Sequence, residues 1–563
     1  MPQFDAIVVG SGMSGGWAAK ELCERGLKVL LLERGPDTDP AKDYSDMTMV
    51  WDRPNLDLVA EDEISSKYKV VYGAASYAFT DSSKLLWVDE SQQPFETPDG
   101  KPFNWVRGYH VGGKSLLWSR QSYRWCPQDF ESNLADGHGV DWPIRYPDLA
   151  PWYDHVETFA GVSGSLEGLE YLPDGKFVRE FELTVAEREF KAKVEAAFPG
   201  RKVIPGRTAN LREATDVHRD LGRGPCQVRN HCHHGCTFGA YFSSVSATLP
   251  AARRTGNLTL VTNAVVQSID HDPKSGRASG VRVVDARTKQ GSTFTAKVVF
   301  LCAGTLPSAM VLLNSRSEAF PTGLANASDQ VGRNLMDHTT GGAARGILPG
   351  HLDRYHYGRR PNGIYIPRYG NYTEKEKPYL RGFGFQGSVV RMGWTGDRVG
   401  VGAEFKEANR NPGPWVVGIS GFAECLPNPE NRIRLHETRT DAWGLPVAMI
   451  DCAWGPNEIA LAKAAAHDAR DMLAAAGATN ITIRETSGPP GNGIHEMGTA
   501  RMGRDPHTSV LNGWNQAHDV QNLFVTDGAC MASTACQNPS LTYMAITARA
   551  ANHAADLLRD GQL

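Results

Sequence analysis

Residues 4–35 read FDAIVVGSGMSGGWAAKELCERGLKVLLLERG. Residues 4–9 alternate and then run apolar, the pattern of a buried parallel strand. Gly10, Gly12 and Gly15 follow at the G-x-G-x-x-G spacing. The next stretch has helical character up to Gly26, and a second strand, KVLLLE, delivers Glu33 at its C-terminal end. Gly10 permits a tight turn, Gly12 lets a pyrophosphate approach the backbone, and Gly15 lets the helix pack on the strand. The helix N-terminus offers unpaired N–H groups to phosphates. Glu33 is placed to accept both ribose hydroxyls. Strand, glycines, helix, strand and acid in this order point to a Rossmann-like dinucleotide site, against the plainer alternative of a βαβ unit with glycine turns. The pattern serves FAD and NAD equally.

The rest of the chain bounds what this site can belong to. The 563 residues are 41% hydrophobic and 22% charged, with a formal net charge of −4. That length predicts two domains, or one large domain with a second lobe. No basic run provides a patch for nucleic acid. The longest apolar runs, such as AIVVG and VVFLCAG, are strand-length, so no membrane span is expected. The N-terminus enters a strand without a basic segment or an apolar signal core, and this predicts a chain with no signal of its own. Segments 258–303 alternate as antiparallel strands leading to a final parallel strand at 298–303. Stretches 341–350, 379–393 and 415–427 are β-rich, and NEIALAKAAAHDARDMLAAAG (457–477) has helical spacing.

Further motifs choose between cofactors. NWVRGYHVGGKSLLWSRQSYRW (104–125) holds Arg107, Gly112, Gly113 and Ser115. IHEMGTARMG (494–503), NLFVTDGACM (522–531) and QNPSLTYMAITARAANHAADLL (537–558) follow in one order, after AGTLPSAMVLLNS (303–315) and VGRNLMDH (331–338). Together these resemble the glucose–methanol–choline (GMC) oxidoreductases over nearly the whole chain. The flavin loop and PENRIRLHETRTDAWGLP (429–446) are similar to bacterial sugar dehydrogenases, glycoside 3-dehydrogenases above all, and to pyranose oxidases.

The resemblance implies an α/β FAD-binding fold of the glutathione-reductase type plus an α+β substrate domain with an antiparallel sheet. The FAD domain would be discontinuous over 1–160, 220–340 and 485–563, with a lid or excursion at 161–219 and the substrate domain at 341–484. His495 matches the family's catalytic histidine and Asn538 its partner. Val265, Asp527 and Ser540 join the cofactor set. Leu117 stands where some relatives attach flavin through a histidine, which implies non-covalent FAD. The implied reaction is oxidation of a sugar secondary hydroxyl, C3 of a glycoside first, with an oxygen-using pyranose oxidase, a glucose 1-dehydrogenase and a flavoprotein electron-transfer subunit as alternatives. His110, Gln121 and Tyr123 are further polar candidates for sugar contacts.

CQVRNHCHHGCTFGA (226–240) packs three cysteines and three histidines into one loop. Cys226, Cys232 and Cys236 resemble the iron–sulfur ligands of glucose dehydrogenase subunits in this family, and three thiolates suffice for a [3Fe-4S] cluster. A zinc site and a metal-free loop remain open beside that reading. With a cluster, electrons would pass to an external acceptor such as a cytochrome c or a quinone. Relatives of this kind are exported with a small signal-bearing subunit, so the expected location is the cytoplasm, or the periplasm with such a partner.

Overall fold

A computed structural model describes residues 3–355, 361–393, 400–410 and 412–563. The expected substrate segment 341–484 therefore lies in part outside the described residues. The opening stretch forms β1 (Phe4–Val9), α1 (Met13–Glu24) and β2 (Val29–Leu32). β1 pairs parallel with β2 on one side and with Gly291–Leu301 on the other. Leu258–Val261 extends the sheet beyond β2, and Leu523–Val525 pairs parallel with the C-terminal half of Gly291–Leu301. Four apolar side chains of β1 and all four of β2 are buried, as a parallel sheet covered on both faces requires.

The strand at 291–301 differs from expectation in an instructive way. It is one continuous strand of 11 residues rather than a meander strand followed by a separate parallel strand. Its N-terminal half pairs antiparallel with Arg277–Asp285, which pairs with Ala264–Asp272. Its C-terminal half enters the parallel sheet, so the meander hangs from the dinucleotide fold by a shared backbone. The helix Ser540–Arg559 and the helix Tyr146–Ala160 pack with α1 and each other over the sheet.

A second, six-stranded sheet runs in the order 479–484, 343–348, 415–423, 383–391, 364–366, 204–205. Its described pairings are antiparallel. The helix Pro456–Ala475 buries Leu461, Ala465, Ala469, Met472 and Leu473 against it. From the segment expected as a lid, Val185–Ala197 packs into the same core and Ile204–Pro205 supplies an edge strand. Arg432–Thr440, Pro446–Asp451 and Phe95–Glu96 form a third, small sheet. Among the described residues no helix is long and apolar enough to cross a membrane.

Candidate active site

The glycine spacing produces the turn it predicts. Gly10 sits at φ +92°, and a Cβ there would lie 2.6 Å from the Cys302 carbonyl oxygen. A Cβ on Gly15 would lie 1.8 Å from the Gly10 carbonyl oxygen, so only glycine lets α1 approach β1 this closely. Glu33 Oε2 accepts from the Ser11 N–H at 3.1 Å and the Ser11 hydroxyl at 2.5 Å, and Oε1 accepts from the Gly35 N–H at 2.9 Å. Ser11 Oγ in turn accepts from the Gly112 N–H at 2.9 Å. The Ser115 hydroxyl donates to the Gly112 carbonyl at 2.6 Å and accepts from the Ser244 N–H at 3.0 Å. The first glycine turn and the 112–115 loop are thus tied together by side-chain hydroxyls.

A cavity of about 470 Å³ starts at Gly10, Gly12 and Glu33, passes Arg107, Gly113 and Ser115, and reaches His495, Asn538 and Ser540. Asp527 also lines it. Its carboxylate accepts from the Gly304 N–H at 2.9 Å, the Ser308 hydroxyl at 2.5 Å and the Ala529 N–H at 2.9 Å. The helix Ser540–Arg559 opens onto the cavity through Asn538, Ser540 and Tyr543. Its first N–H groups carry partial positive charge there.

Several expected residues stand elsewhere. Gly15 and Gly112 shape the walls without lining them. Val265 is fully buried but does not face the cavity; Ala264 and Val266 do, because a strand alternates its faces every residue. Of the three polar candidates in the flavin loop, Gln121 lines the cavity. Tyr123 instead donates to Gln121 Oε1 at 2.6 Å and stacks on Tyr365 at 3.9 Å. His110 is buried with Nδ1 3.0 Å from the Val111 carbonyl.

The reactive end is built by three parts of the chain. His495 Nε2 lies 3.3 Å from Asn538 Nδ2, and His495 Nδ1 lies 2.8 Å from His338 Nδ1. Gln386, on the strand Phe383–Arg391, donates to Asn538 Oδ1 at 2.5 Å. Phe422 from the neighbouring strand places its ring 6.0 Å from that of His495. Burial, followed by the neighbouring His338 and Lys114, holds the His495 imidazole well below its usual range, so it is a neutral base at neutral pH. Gln386, Phe422 and His338 were not legible as site residues. Gln386 and Phe422 line the cavity because the second sheet packs over the first, while His338 stands behind His495 outside the lining.

Polar atoms without protein partners line the middle of the cavity. Arg107 stacks over Trp105 at 4.4 Å and donates to the Gln93 carbonyl at 2.7 Å, leaving Nε and Nη2 unpaired. Lys114 pairs with Glu496 Oε2 at 3.0 Å, leaving Glu496 Oε1 and the Tyr543 hydroxyl without protein partners. Buried polar groups need partners, and a flavin dinucleotide offers both donors and acceptors along this length. The residues fit FAD.

Residues 4–340 match the N-terminal family model of the GMC oxidoreductases, and residues 427–547 the C-terminal one. The chain belongs to the GMC oxidoreductase family. As a GMC oxidoreductase it is an FAD-dependent enzyme acting on CH–OH donors. It is 28% identical over 568 residues to the fructose dehydrogenase large subunit of Gluconobacter japonicus, covering 99% of this chain and 98% of that one. It is also 28% identical over 579 residues to a 2-methyl-1,2-propanediol dehydrogenase of Mycolicibacterium austroafricanum, covering 98% and 95%. Identity to a C-glycoside 3-oxidase of Microbacterium trichothecenolyticum is 25% over 564 residues, covering 98% and 97%. A formate oxidase of Aspergillus oryzae shares the fold, with a TM-score of 0.60 at 13% identity and full coverage of both chains.

For the cysteine loop of this GMC enzyme the sequence left an iron–sulfur cluster, a zinc site and a metal-free loop open. Cys226, Cys232 and Cys236 are free, half-buried thiols outside the cavity lining. Among the described residues no group of three or more His, Cys, Asp or Glu is placed to hold a metal ion. Burial pushes the Cys226 thiol up to about 11, and the Cys236 thiol is raised by the same cause. The histidines have other uses: His231 Nδ1 meets the Asp46 carbonyl at 2.9 Å, and His234 meets Arg53 at 3.1 Å and Ser82 at 3.2 Å. Asp46 further binds Arg229 and Thr237. The arrangement of the described residues gives no support to a [3Fe-4S] cluster or a zinc site, and no step is routed through one.

Proposed function

We propose that the enzyme oxidises a secondary hydroxyl of a sugar, C3 of a glycoside first, and passes the electrons to an external acceptor. One observation carries this reading: His495 and Asn538 stand side by side at the far end of a cavity whose near end holds Gly10, Gly12 and Glu33. Glu33, the two glycine loops, Arg107, Asp527 and the Ser540 helix end would hold FAD, which would supply the hydride acceptor. His495 Nε2 takes the hydroxyl proton, and a base with its pKa displaced below neutrality does so without first losing one of its own. Asn538 Nδ2 donates a hydrogen bond to the same oxygen and orients the carbon that loses hydride. Gln121 and Gln386 offer amides to neighbouring hydroxyls. The sugar class draws support from the fructose and glycoside relatives, and the C3 position from the likeness of the 104–125 loop and from the C-glycoside relative.

In domain terms, 1–160, 220–340 and 485–563 would carry FAD, 341–484 would roof the substrate, and 161–219 would be the excursion between them. A panel of hexoses, glycosides and short diols, mixed anaerobically with FAD-loaded protein, tests the proposal. Glycosides are expected to bleach the flavin and to yield a 3-keto product by NMR, with a cytochrome or quinone reoxidising it faster than oxygen. Bleaching by the diols alone would move the substrate class away from sugars.

A further inference from the structure

The segment VGRNLMDH (331–338) carries no role in the account above, yet it builds the setting of His495. Met336 and Met497 exchange two backbone hydrogen bonds of 2.9 Å each. Asp337 then ties down the turn that presents the histidine. Its carboxylate accepts from the Gly491 N–H at 2.8 Å, the Gly493 N–H at 2.9 Å and the His495 N–H at 3.0 Å. The turn includes Ile494 at φ +56°, a left-handed backbone that a β-branched residue adopts only where its surroundings impose it. So the backbone of the turn is strained, and Asp337 holds it.

His338 acts on the ring rather than the backbone. It is fully buried, with Nε2 2.9 Å from the Ala535 carbonyl and 3.2 Å from the Thr534 carbonyl. Carbonyl oxygens only accept, so Nε2 carries the proton. Burial lowers His338 to about 4, so the ring is neutral at neutral pH and its Nδ1 is bare. That bare nitrogen, 2.8 Å from His495 Nδ1, accepts the proton that His495 must then carry on Nδ1. His495 Nε2 is left bare, and it faces Asn538 Nδ2 at 3.3 Å. Gln386 fixes the amide the same way round by donating to Asn538 Oδ1. Every hydrogen bond from Gln386 to the Ala535 carbonyl therefore points in one direction. The other ionisable groups around the ring are Asp337, engaged by the backbone, and Lys114 with Glu496, engaged by each other.

We propose that His338 is a positioning residue that locks His495 in the Nδ1-protonated tautomer, with Gln386 setting the matching orientation of Asn538, so that the basic nitrogen faces the cavity before substrate arrives. A neutral imidazole in water favours the opposite tautomer, so without His338 the lone pair would turn away from the cavity for much of the time. The catalytic consequence rests on the proposed function; the tautomer rests on the hydrogen bonds and on the neutral state that burial gives His338.

The test is nitrogen NMR of FAD-loaded protein labelled with ¹⁵N-histidine, the His495 signals being identified by their loss in His495→Gln. At neutral pH the wild type is expected to show a protonated Nδ1 and a bare Nε2. His338→Leu is expected to move protonation toward Nε2. The same change should slow anaerobic flavin reduction by about 10²- to 10⁴-fold, the range from a typical general-base contribution to a fully mis-set tautomer, with substrate affinity nearly unchanged. His338→Gln keeps one acceptor and one donor and should recover much of the rate. A wild-type spectrum with Nε2 protonated overturns the inference, and so does a His338→Leu protein with unchanged tautomer and rate. Should His338→Leu fail to fold, the wild-type spectrum and His338→Gln still decide. The expected tautomer in a protein whose flavin no alcohol reduces would support the inference while counting against the proposed function.

Discussion

Replacing His495 with alanine should lower the rate of anaerobic flavin reduction by substrate about 10²- to 10⁴-fold, the range for loss of a general base. That corresponds to about 3–5 kcal/mol of barrier. FAD content should be unaffected, because Glu33 and the glycine loops stand at the other end of the cavity. The wild-type pH profile carries a second signature. An ordinary histidine would lose half its base form near a pKa of about 6.5. Burial, His338 and Lys114 all push His495 below that value. A lowered pKa means the base survives into more acid solution, so the reduction rate should stay flat through neutral pH and fall only well below it. Stopped-flow reduction across the pH range checks both points, and a half-maximal rate near 6.5 would contradict the assignment.

The second large effect is expected at Gly15. A valine there would drive its Cβ into the Gly10 carbonyl oxygen, 1.8 Å away, where a backbone atom and not a flexible side chain must yield. Overpacking a core costs about 1–3 kcal/mol even where side chains adjust. Here the displaced atoms belong to the turn that would receive the pyrophosphate. The Gly15→Val protein should therefore purify without flavin, and added FAD should fail to restore its absorbance or raise its melting temperature. Full flavin occupancy in this variant would contradict the placement of the dinucleotide.

The two ends of the cavity differed in how far the sequence disclosed them. β1, α1 and β2 were legible because everything that makes them lies within 32 residues: a buried apolar run, glycines at fixed spacing and an acid at a strand end. Gly10, Gly12, Glu33, Asp527, His495 and Asn538 all line one cavity. Val265 stands between two lining residues, Ala264 and Val266, because successive residues of a strand face opposite sides. His338 and Gln386 were missed for a different reason. His338 is 157 positions from His495, and Gln386 is 152 from Asn538. Their contacts exist only after the 331–338 segment and the second sheet have docked. The cysteine loop was left with several readings open by its composition. What the structure adds is that His231 and His234 tie the loop to the 44–82 segment through Asp46, Arg53 and Ser82.

In the proposed reaction His495 Nε2 removes the hydroxyl proton while the adjacent carbon gives up hydride in this cavity. Anaerobic stopped-flow reduction by a glycoside deuterated at the carbon to be oxidised tests it most directly. A primary isotope effect on flavin bleaching is expected in the wild type, and a reduction rate slowed by orders of magnitude in His495→Ala with the isotope effect still present. Bleaching with no isotope effect, or a His495→Ala protein reduced as fast as the wild type, would contradict it.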